Sequence, residues 1–139
     1  MTIEAQVKWI EDLQFVARSG DGPAVVIDSS DSGAGASPMA LMLMGTAGCT
    51  AMDVISILKK KRMAVTGFRV DISGERDRDY PKRYTDIQVT YVIRGTGITP
   101  EGVRQAIDLS EKKYCGAMAS LNARITHSFR IEPSGPKTT

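Results

Sequence analysis

Two cysteines, Cys49 and Cys115, are the residues with the clearest capacity for chemistry in this 139-residue chain, which contains no other thiol. Each lies in a stretch whose pattern is helical rather than loop-like. Such a pair can be buried packing, a structural disulfide, half of a metal site or a couple that reacts together. The residues around each cysteine have to distinguish among these four uses.

The first cysteine, Cys49, follows two glycines, Gly45 and Gly48, in an apolar segment. A glycine inside a helix costs roughly 1 kcal/mol relative to alanine, so two of them indicate a kink or the close approach of another backbone. If the helix restarts near Gly48, the sulfur meets free amide groups and the helix dipole favours the thiolate. An unbroken helix would instead leave Cys49 as a buried, inert side chain. The sequence leaves both interpretations open.

The second cysteine, Cys115, follows Tyr114 and precedes a run of small and apolar residues, Gly116–Leu121. This run predicts a short helix that begins at the cysteine. Amide groups at the start of a helix stabilise a negative charge, so the same effect that could activate the first cysteine would act here. We therefore expect a lowered pKa for Cys115.

Other reactive groups are sparse. His127 is the only histidine and no CxxC motif is present, while Asp53 adds a single oxygen ligand four residues after Cys49. These are too few ligands for zinc, so no metal site is predicted. The Gly33–Ser37 segment lacks the lysine of a phosphate-binding P-loop and the spacing of a dinucleotide fingerprint, which favours a flexible loop. His127 alternates with apolar residues in a strand-like run, which indicates a partly buried structural histidine.

The composition is that of one soluble domain, 1–139, with a sizeable core. The formal net charge is +2 with the two signs interspersed, which is too weak a field to indicate a nucleic-acid partner. The first nine residues include Glu4 and Lys8 and no apolar core of a signal peptide. We therefore expect a reducing, cytoplasmic setting, in which a permanent disulfide is less common than a reactive or inert pair.

The elements that must position the cysteines follow a regular order. Short apolar runs between 3 and 28, with a turn at Gly20–Pro23, predict a three-stranded antiparallel meander. Ser37-Pro38 and Thr99-Pro100 each predict the start of a helix. Two alternating strands lie between the helices, and a last strand follows Cys115. The predicted class is α+β, with antiparallel sheets around a long central helix.

The central helix, 38–58, contains one charged residue, Asp53, and apolar residues on every side of its helical wheel. This pattern is typical of a helix buried all round. A membrane span is the rival interpretation, but Asp53, the small residues and the flanking strands argue against it. A small domain can rarely cover such a helix alone, so we expect a homodimer. Its methionines, Met39, Met42, Met44 and Met52, can either line a pocket for an apolar ligand or fill the core.

Three segments together resemble the OsmC/Ohr family of osmotically induced and organic hydroperoxide resistance proteins. They are Ser37–Cys49, Asp53–Leu58 and Glu111–Cys115. The resemblance covers nearly the whole chain, including the order of strands and helices. It implies an intertwined homodimer in which sheets from both subunits surround two central helices, with the active sites at the interface.

The reaction implied by the resemblance is the reduction of organic hydroperoxides. Cys49 would be the peroxidatic thiolate that attacks the peroxide and becomes a sulfenic acid, and Cys115 would resolve it as a disulfide. The substrate would be a small hydrophobic hydroperoxide and the reductant an external dithiol. The resemblance implies no bound cofactor, no nucleic acid and no membrane partner.

One position departs from the family's peroxidases. These have a glutamate ten residues before the reactive cysteine, which holds an arginine against the thiolate. Met39 occupies that position here, as in a less characterised OsmC-like branch of the family. Arg18 is the arginine nearest in sequence order, and Asp53 and Glu75 are conceivable substitutes for the acid. The alternative function is therefore a non-enzymatic dimer that binds or senses a small apolar or thiol-reactive molecule.

Overall fold

The structure, a computed structural model, describes residues 1–29, 31 and 33–134. The chain forms two compact units, Met1–Met42 and Leu43–Thr139, and the boundary lies within the central helix. The mixed α+β class and the predicted order of elements are confirmed. That the whole chain acts as a single domain stays a prediction.

The first unit contains a three-stranded antiparallel sheet. Its strands are β1 (Ala5–Glu11), β2 (Gln14–Ser19) and β3 (Ala24–Ile27), in the order β1-β2-β3. The turn between β2 and β3 contains Gly20 at a φ of 56°, a left-handed conformation that favours glycine. The predicted meander is therefore confirmed.

The central helix, α1, extends over Pro38–Lys60. The hydroxyl of Ser37 accepts a hydrogen bond from the Ala40 amide at 3.1 Å, which confirms the predicted cap. The helix is not buried all round within this chain. Its buried residues form one stripe at intervals of four, Thr46, Thr50, Val54 and Leu58, while Met42, Met44 and Met52 are exposed. The single chain covers only one face of its own helix, so burial on every side, which the sequence predicts with cover from a second subunit, stays a prediction.

Length and apolar composition alone would let α1 cross a membrane, and it is the one such helix in the described part of the chain. Core helices of soluble proteins pass the same test. The stripe of buried residues, spaced by four, is typical of a helix that packs on protein along one face.

The second unit contains a mixed sheet in the order β4-β5-β6. Its strands are β4 (Ala64–Arg76), β5 (Tyr84–Thr96) and β6 (Arg124–Pro133). Strands β4 and β5 pair antiparallel, whereas β6 is parallel to β5. The expectation of purely antiparallel sheets is thus corrected. A helical crossover joins β5 to β6, and it returns the chain to the end of the sheet at which β5 began.

The crossover consists of α2 (Pro100–Leu109), a π-helical turn (Ser110–Tyr114) and α3 (Gly116–Ala119). The Thr99 hydroxyl caps α2 by accepting a hydrogen bond from the Gly102 amide at 3.1 Å, as its sequence predicts. The buried face of β5 and the apolar residues of α2 supply much of the core, namely Ile87, Val89, Tyr91, Ile93, Val103, Ala106 and Ile107. The wider π turn sets the position of Ser110 and Cys115 at the end of α2.

Candidate active site

Cys49 lies in the interior of α1, which continues through Gly45 and Gly48 without a break. The restart of the helix at Gly48 is therefore not formed. Cys49 is half-buried and carries a free thiol. Of the two interpretations that the sequence left open, the unbroken helix is the correct one. The exposure of the Cys49 sulfur and the groups around it, rather than a helix terminus, therefore determine the reactivity of this thiol.

Cys115 is the N-cap of α3, and its sulfur accepts a hydrogen bond from the Met118 amide at 3.5 Å. The residue is only 4% exposed. Burial raises the pKa of the Cys115 thiol from 9.0 to about 11, and the nearby Cys49 adds to this increase, although the Met118 amide acts in the opposite direction. The expected lowering of this pKa is therefore wrong. Four residues of helix stabilise a thiolate less than burial destabilises it.

The two cysteines and Asp53 form one cluster. The two sulfurs and a carboxylate oxygen of Asp53 all lie within 4.8 Å of one another. Asp53 follows Cys49 by four residues, and this spacing places both on one face of α1. The π turn and the start of α3 bring Cys115 to the same face. Two sulfurs and one carboxylate are fewer than the four protein ligands of a structural zinc site. The arrangement suits a reaction between two thiols.

We expect the alkylation of Cys115 by iodoacetamide to keep accelerating beyond pH 9.0 and to reach half of its maximal rate near pH 11, because only the thiolate reacts. The protonated thiol favours the folded state below pH 9.0, and this stabilisation is lost as the pH rises through about 11. Peptide mass spectrometry of the reduced protein at a series of pH values measures the profile. The same residue alkylated in denaturant provides the control. An alkylation rate of the folded protein that no longer increases above pH 9.0 would contradict the raised pKa of Cys115.

Beside the cluster lies a group of buried hydroxyls that the sequence analysis did not identify. Thr50 Oγ1 lies 2.7 Å from Ser110 Oγ and 2.9 Å from the hydroxyl of Tyr91, and Ser110 Oγ donates to Asp53 Oδ2 at 2.9 Å. Thr50, Ser110 and Tyr91 are each 0% exposed. Burial raises the pKa of Tyr91 well above its ordinary value, so its hydroxyl stays protonated. Thr50 and Tyr91 are hydroxyl-bearing residues inside apolar segments, whereas Ser110 is followed by charged residues and carries no such signal.

The hydroxyl group continues to the surface through an acid and a histidine. Tyr91 donates to Glu111 Oε2 at 2.7 Å, and Glu111 Oε1 lies 2.9 Å from His127 Nδ1. The His127 side chain is 29% exposed and that of Glu111 is 14% exposed. The ring of His127 also meets the ring of Tyr91 edge to face at 6.2 Å between centroids. The sequence prediction of a partly buried histidine with a hydrogen-bonding partner agrees with this geometry.

Asp53 also lines a pocket of about 440 Å³ in the second unit. Its wall combines apolar side chains with lysines, and consists of Asp53, Ser56, Ile57, Lys60, Lys61, Leu109 and Tyr114. A small molecule in this pocket would lie against the carboxylate that faces both sulfurs. The pocket is therefore a candidate site for a substrate with an apolar body.

Arg18 and Met39 belong to the first unit. Arg18 is exposed on β2, where it pairs in register with Gln6 and Ala24. Met39 lies in the first turn of α1 and is half-buried. Glu75, the other conceivable substitute for the family's acid, is exposed on β4, whereas Asp53 lies next to both sulfurs. The structure thus supports Asp53 over Glu75 as the acid nearest the thiols.

Comparison with known proteins identifies the family of this chain. The family model described as OsmC-like protein matches residues 30–130. Protein YhfA of Escherichia coli K12 is 35% identical over 131 residues, which are 93% of this chain and 98% of YhfA. The chain therefore belongs to the OsmC-like family.

Solved structures show the same fold. A hypothetical protein from Aquifex aeolicus VF5 superposes with a TM-score of 0.81 at 29% identity, over 95% of this chain and 98% of the other. The organic hydroperoxide resistance protein OhrB of Bacillus subtilis superposes with a TM-score of 0.62 at 16% identity, over 94% and 98% of the two chains. At that identity, the likeness to OhrB concerns the fold alone. The resemblance to the OsmC/Ohr family, and to one of its less characterised members in particular, is confirmed.

Proposed function

We propose that this OsmC-like protein is a thiol-dependent peroxidase that reduces small hydrophobic organic hydroperoxides. The observation that carries the proposal is the pair of free sulfurs within 4.8 Å of each other, beside a carboxylate that lines a pocket. The thiolate of Cys49 attacks the distal peroxide oxygen and the O–O bond breaks. The alkoxide leaves, takes up a proton and becomes an alcohol, while Cys49 becomes a sulfenic acid.

The second half of the reaction uses Cys115. Its sulfur attacks the sulfenic sulfur of Cys49, a disulfide forms and water leaves. An external dithiol then reduces the disulfide and is itself oxidised. The balanced reaction consumes one hydroperoxide and two thiol hydrogens and produces one alcohol and one water.

Exposure supports this division of roles. Cys49 is half-buried, whereas Cys115 is 4% exposed and its pKa is raised by burial, so Cys49 is the sulfur that an incoming peroxide reaches. A disulfide requires the sulfurs to approach to about 2 Å, which is a small movement from their present separation. The names of the hydroperoxide resistance proteins with this fold, such as OhrB, agree with the proposed chemistry.

The remaining features of the proposal come from the family resemblance. Arg18 as the partner of the Cys49 thiolate stays a prediction, as does a cytoplasmic location. A homodimer is supported by the three methionines that α1 leaves exposed, Met42, Met44 and Met52, at 45%, 50% and 74%. A second subunit would remove this apolar surface from water.

Mass spectrometry of the intact protein tests the proposal. We expect the reduced protein, mixed with one equivalent of cumene hydroperoxide, to lose the mass of two hydrogens through a Cys49–Cys115 disulfide. The cumyl alcohol formed should equal the peroxide consumed. The double variant Cys49→Ser with Cys115→Ser is the control, and it should consume no peroxide. An unchanged mass after prolonged exposure of the unblocked protein would exclude a peroxidase.

A second candidate function is a non-enzymatic dimer that binds or senses an apolar or thiol-reactive molecule. Met39 in the position of the family's glutamate favours it, because methionine cannot hold an arginine against the thiolate. Turnover distinguishes the two candidates. With excess dithiol, a peroxidase consumes many equivalents of hydroperoxide, whereas a protein that only binds its ligand consumes none, and a sensor whose oxidised form the dithiol does not reduce stops after one.

A further inference from the structure

An unbroken chain of hydrogen bonds leads away from the thiol cluster, and we call it the relay. It consists of Asp53, Ser110, Thr50, Tyr91 and Glu111, in that order. Its four oxygen-to-oxygen distances are 2.9, 2.7, 2.9 and 2.7 Å. All four are normal lengths for hydrogen bonds between oxygens. A carboxyl group stands at each end, and three hydroxyls stand between them.

The number of protons in the relay follows from its connectivity. Each of the four contacts needs one proton between its two oxygens, and each hydroxyl supplies one proton. Three hydroxyls fill three contacts. If both end carboxyls were ionised, one contact would join two oxygens with no proton between them, whichever way the hydroxyls turn. A fourth proton on either end carboxyl fills every contact.

Burial raises the free-energy cost of a contact between two oxygens that has no proton. The three hydroxyl residues are 0% exposed, so solvent does not relieve two oxygen lone pairs that face each other. The raised pKa of Tyr91 keeps its proton in the relay. The contact between Glu111 and His127 does not alter the number of protons that the relay needs. The proton on Nδ1 of the His127 ring fills that contact.

The two ends of the relay have different surroundings. Asp53 lies within 4.8 Å of both sulfurs and lines the pocket, whereas Glu111 contacts His127, whose side chain is partly exposed. With the fourth proton on Glu111, every hydroxyl points towards Asp53. With the proton on Asp53, every hydroxyl points towards Glu111. Passing one proton across each of the four contacts converts the first arrangement into the second.

We propose that the relay holds one proton more than its hydroxyls and delivers it through Asp53 to the alkoxide that leaves during peroxide reduction. This rests on the proposed function. The Cys49 thiolate and the hydroperoxide react to form the sulfenic acid and the alkoxide, and the Asp53 carboxyl donates its proton to the alkoxide oxygen. The relay then passes a proton from Glu111 to Asp53. Glu111 regains a proton from solvent through His127. Asp53 is the proton donor, and Thr50, Ser110 and Tyr91 are positioning residues.

Infrared spectroscopy tests the proton number without any reaction. We expect the reduced protein at pH 7 to show the C=O stretch of one protonated carboxyl. Thr50→Val leaves two contacts and two hydroxyls, so no additional proton is needed and the band should vanish. Thr50→Ser keeps the hydroxyl and should keep the band. Tyr91→Phe also leaves two contacts and two hydroxyls, so it should lose the band by a second route.

Two reactions of Cys49 test the delivery of the proton. Attack on cumene hydroperoxide produces an alkoxide that needs a proton, whereas attack on iodoacetamide releases iodide, which needs none. We expect Thr50→Val to slow the first reaction by roughly 10²-fold and to leave the second within about twofold, because general acid catalysis contributes on this scale. Thr50→Ser should resemble the unmodified protein in both. A structural disturbance of Cys49 would slow both reactions alike.

The outcomes separate the relay from the proposed function. A missing carboxyl band in the unmodified protein, or a band that persists in both Thr50→Val and Tyr91→Phe, would overturn the proton number. Equal slowing of both reactions would overturn proton delivery. A protein that shows the expected bands but never reduces hydroperoxide would leave the relay's proton in place and exclude only the peroxidase.

Discussion

Replacing Cys49 with serine is expected to abolish hydroperoxide reduction, with a loss of roughly 10³-fold or more, because no other group can supply the nucleophile. A serine hydroxyl is not ionised near neutral pH, and the remaining thiol, Cys115, is buried with a pKa raised to about 11. Consumption of cumene hydroperoxide in the presence of excess dithiol measures the effect.

The matched control is Cys115→Ser. Without dithiol, it should consume one equivalent of peroxide at a rate close to that of the unmodified protein, because the first step does not need Cys115. The product should be a sulfenic acid on Cys49, which a sulfenic-acid-selective reagent traps. If Cys49→Ser consumed peroxide rapidly while Cys115→Ser did not, the two roles would be reversed.

Replacing Leu58 with alanine is expected to lower the free energy of unfolding by about 2–5 kcal/mol, because it leaves a cavity at a fully buried position. Leu58 is the last residue of the buried stripe on α1. Urea denaturation measures the change. It must be done at one protein concentration, because a dimer would make the midpoint depend on concentration.

The control on the same helix is Ser56→Ala, at an exposed position two residues before Leu58. Its effect should stay within about 0.5 kcal/mol, as is usual for exposed positions. A loss at Leu58 no larger than that at Ser56 would mean that the stripe does not pack as a core.

The elements could be predicted from the sequence because their signals are local. Ser37 and Thr99 cap their helices through amides three residues further along the chain, and proline follows each of them. The alternation of Ile87, Val89, Tyr91 and Ile93 likewise identified the buried face of β5. Hydrogen bonds and side-chain periods within a few residues decide such features.

Open alternatives and errors arose where residues distant in sequence determine the structure. The sequence left a break in α1 at Gly48 open, and the helix continues through it, because the packing of a long helix outweighs the roughly 1 kcal/mol preference against a glycine. The parallel pairing of β6 depends on the whole crossover between β5 and β6. The pKa of Cys115 was expected to fall and is raised, because burial depends on segments remote in sequence.

The sequence by itself determined the two thiols, the order of the elements and the replacement of the family's glutamate by Met39. Only the tertiary structure decided that Cys115 joins Cys49 and Asp53, and that Thr50, Ser110 and Tyr91 connect this cluster to Glu111. Thr50 and Ser110 are 60 positions apart, and Thr50 and Tyr91 are 41 apart. A pattern of neighbours along the chain cannot show a contact over such separations, because the packing of α1 on β5 and on the π turn creates it.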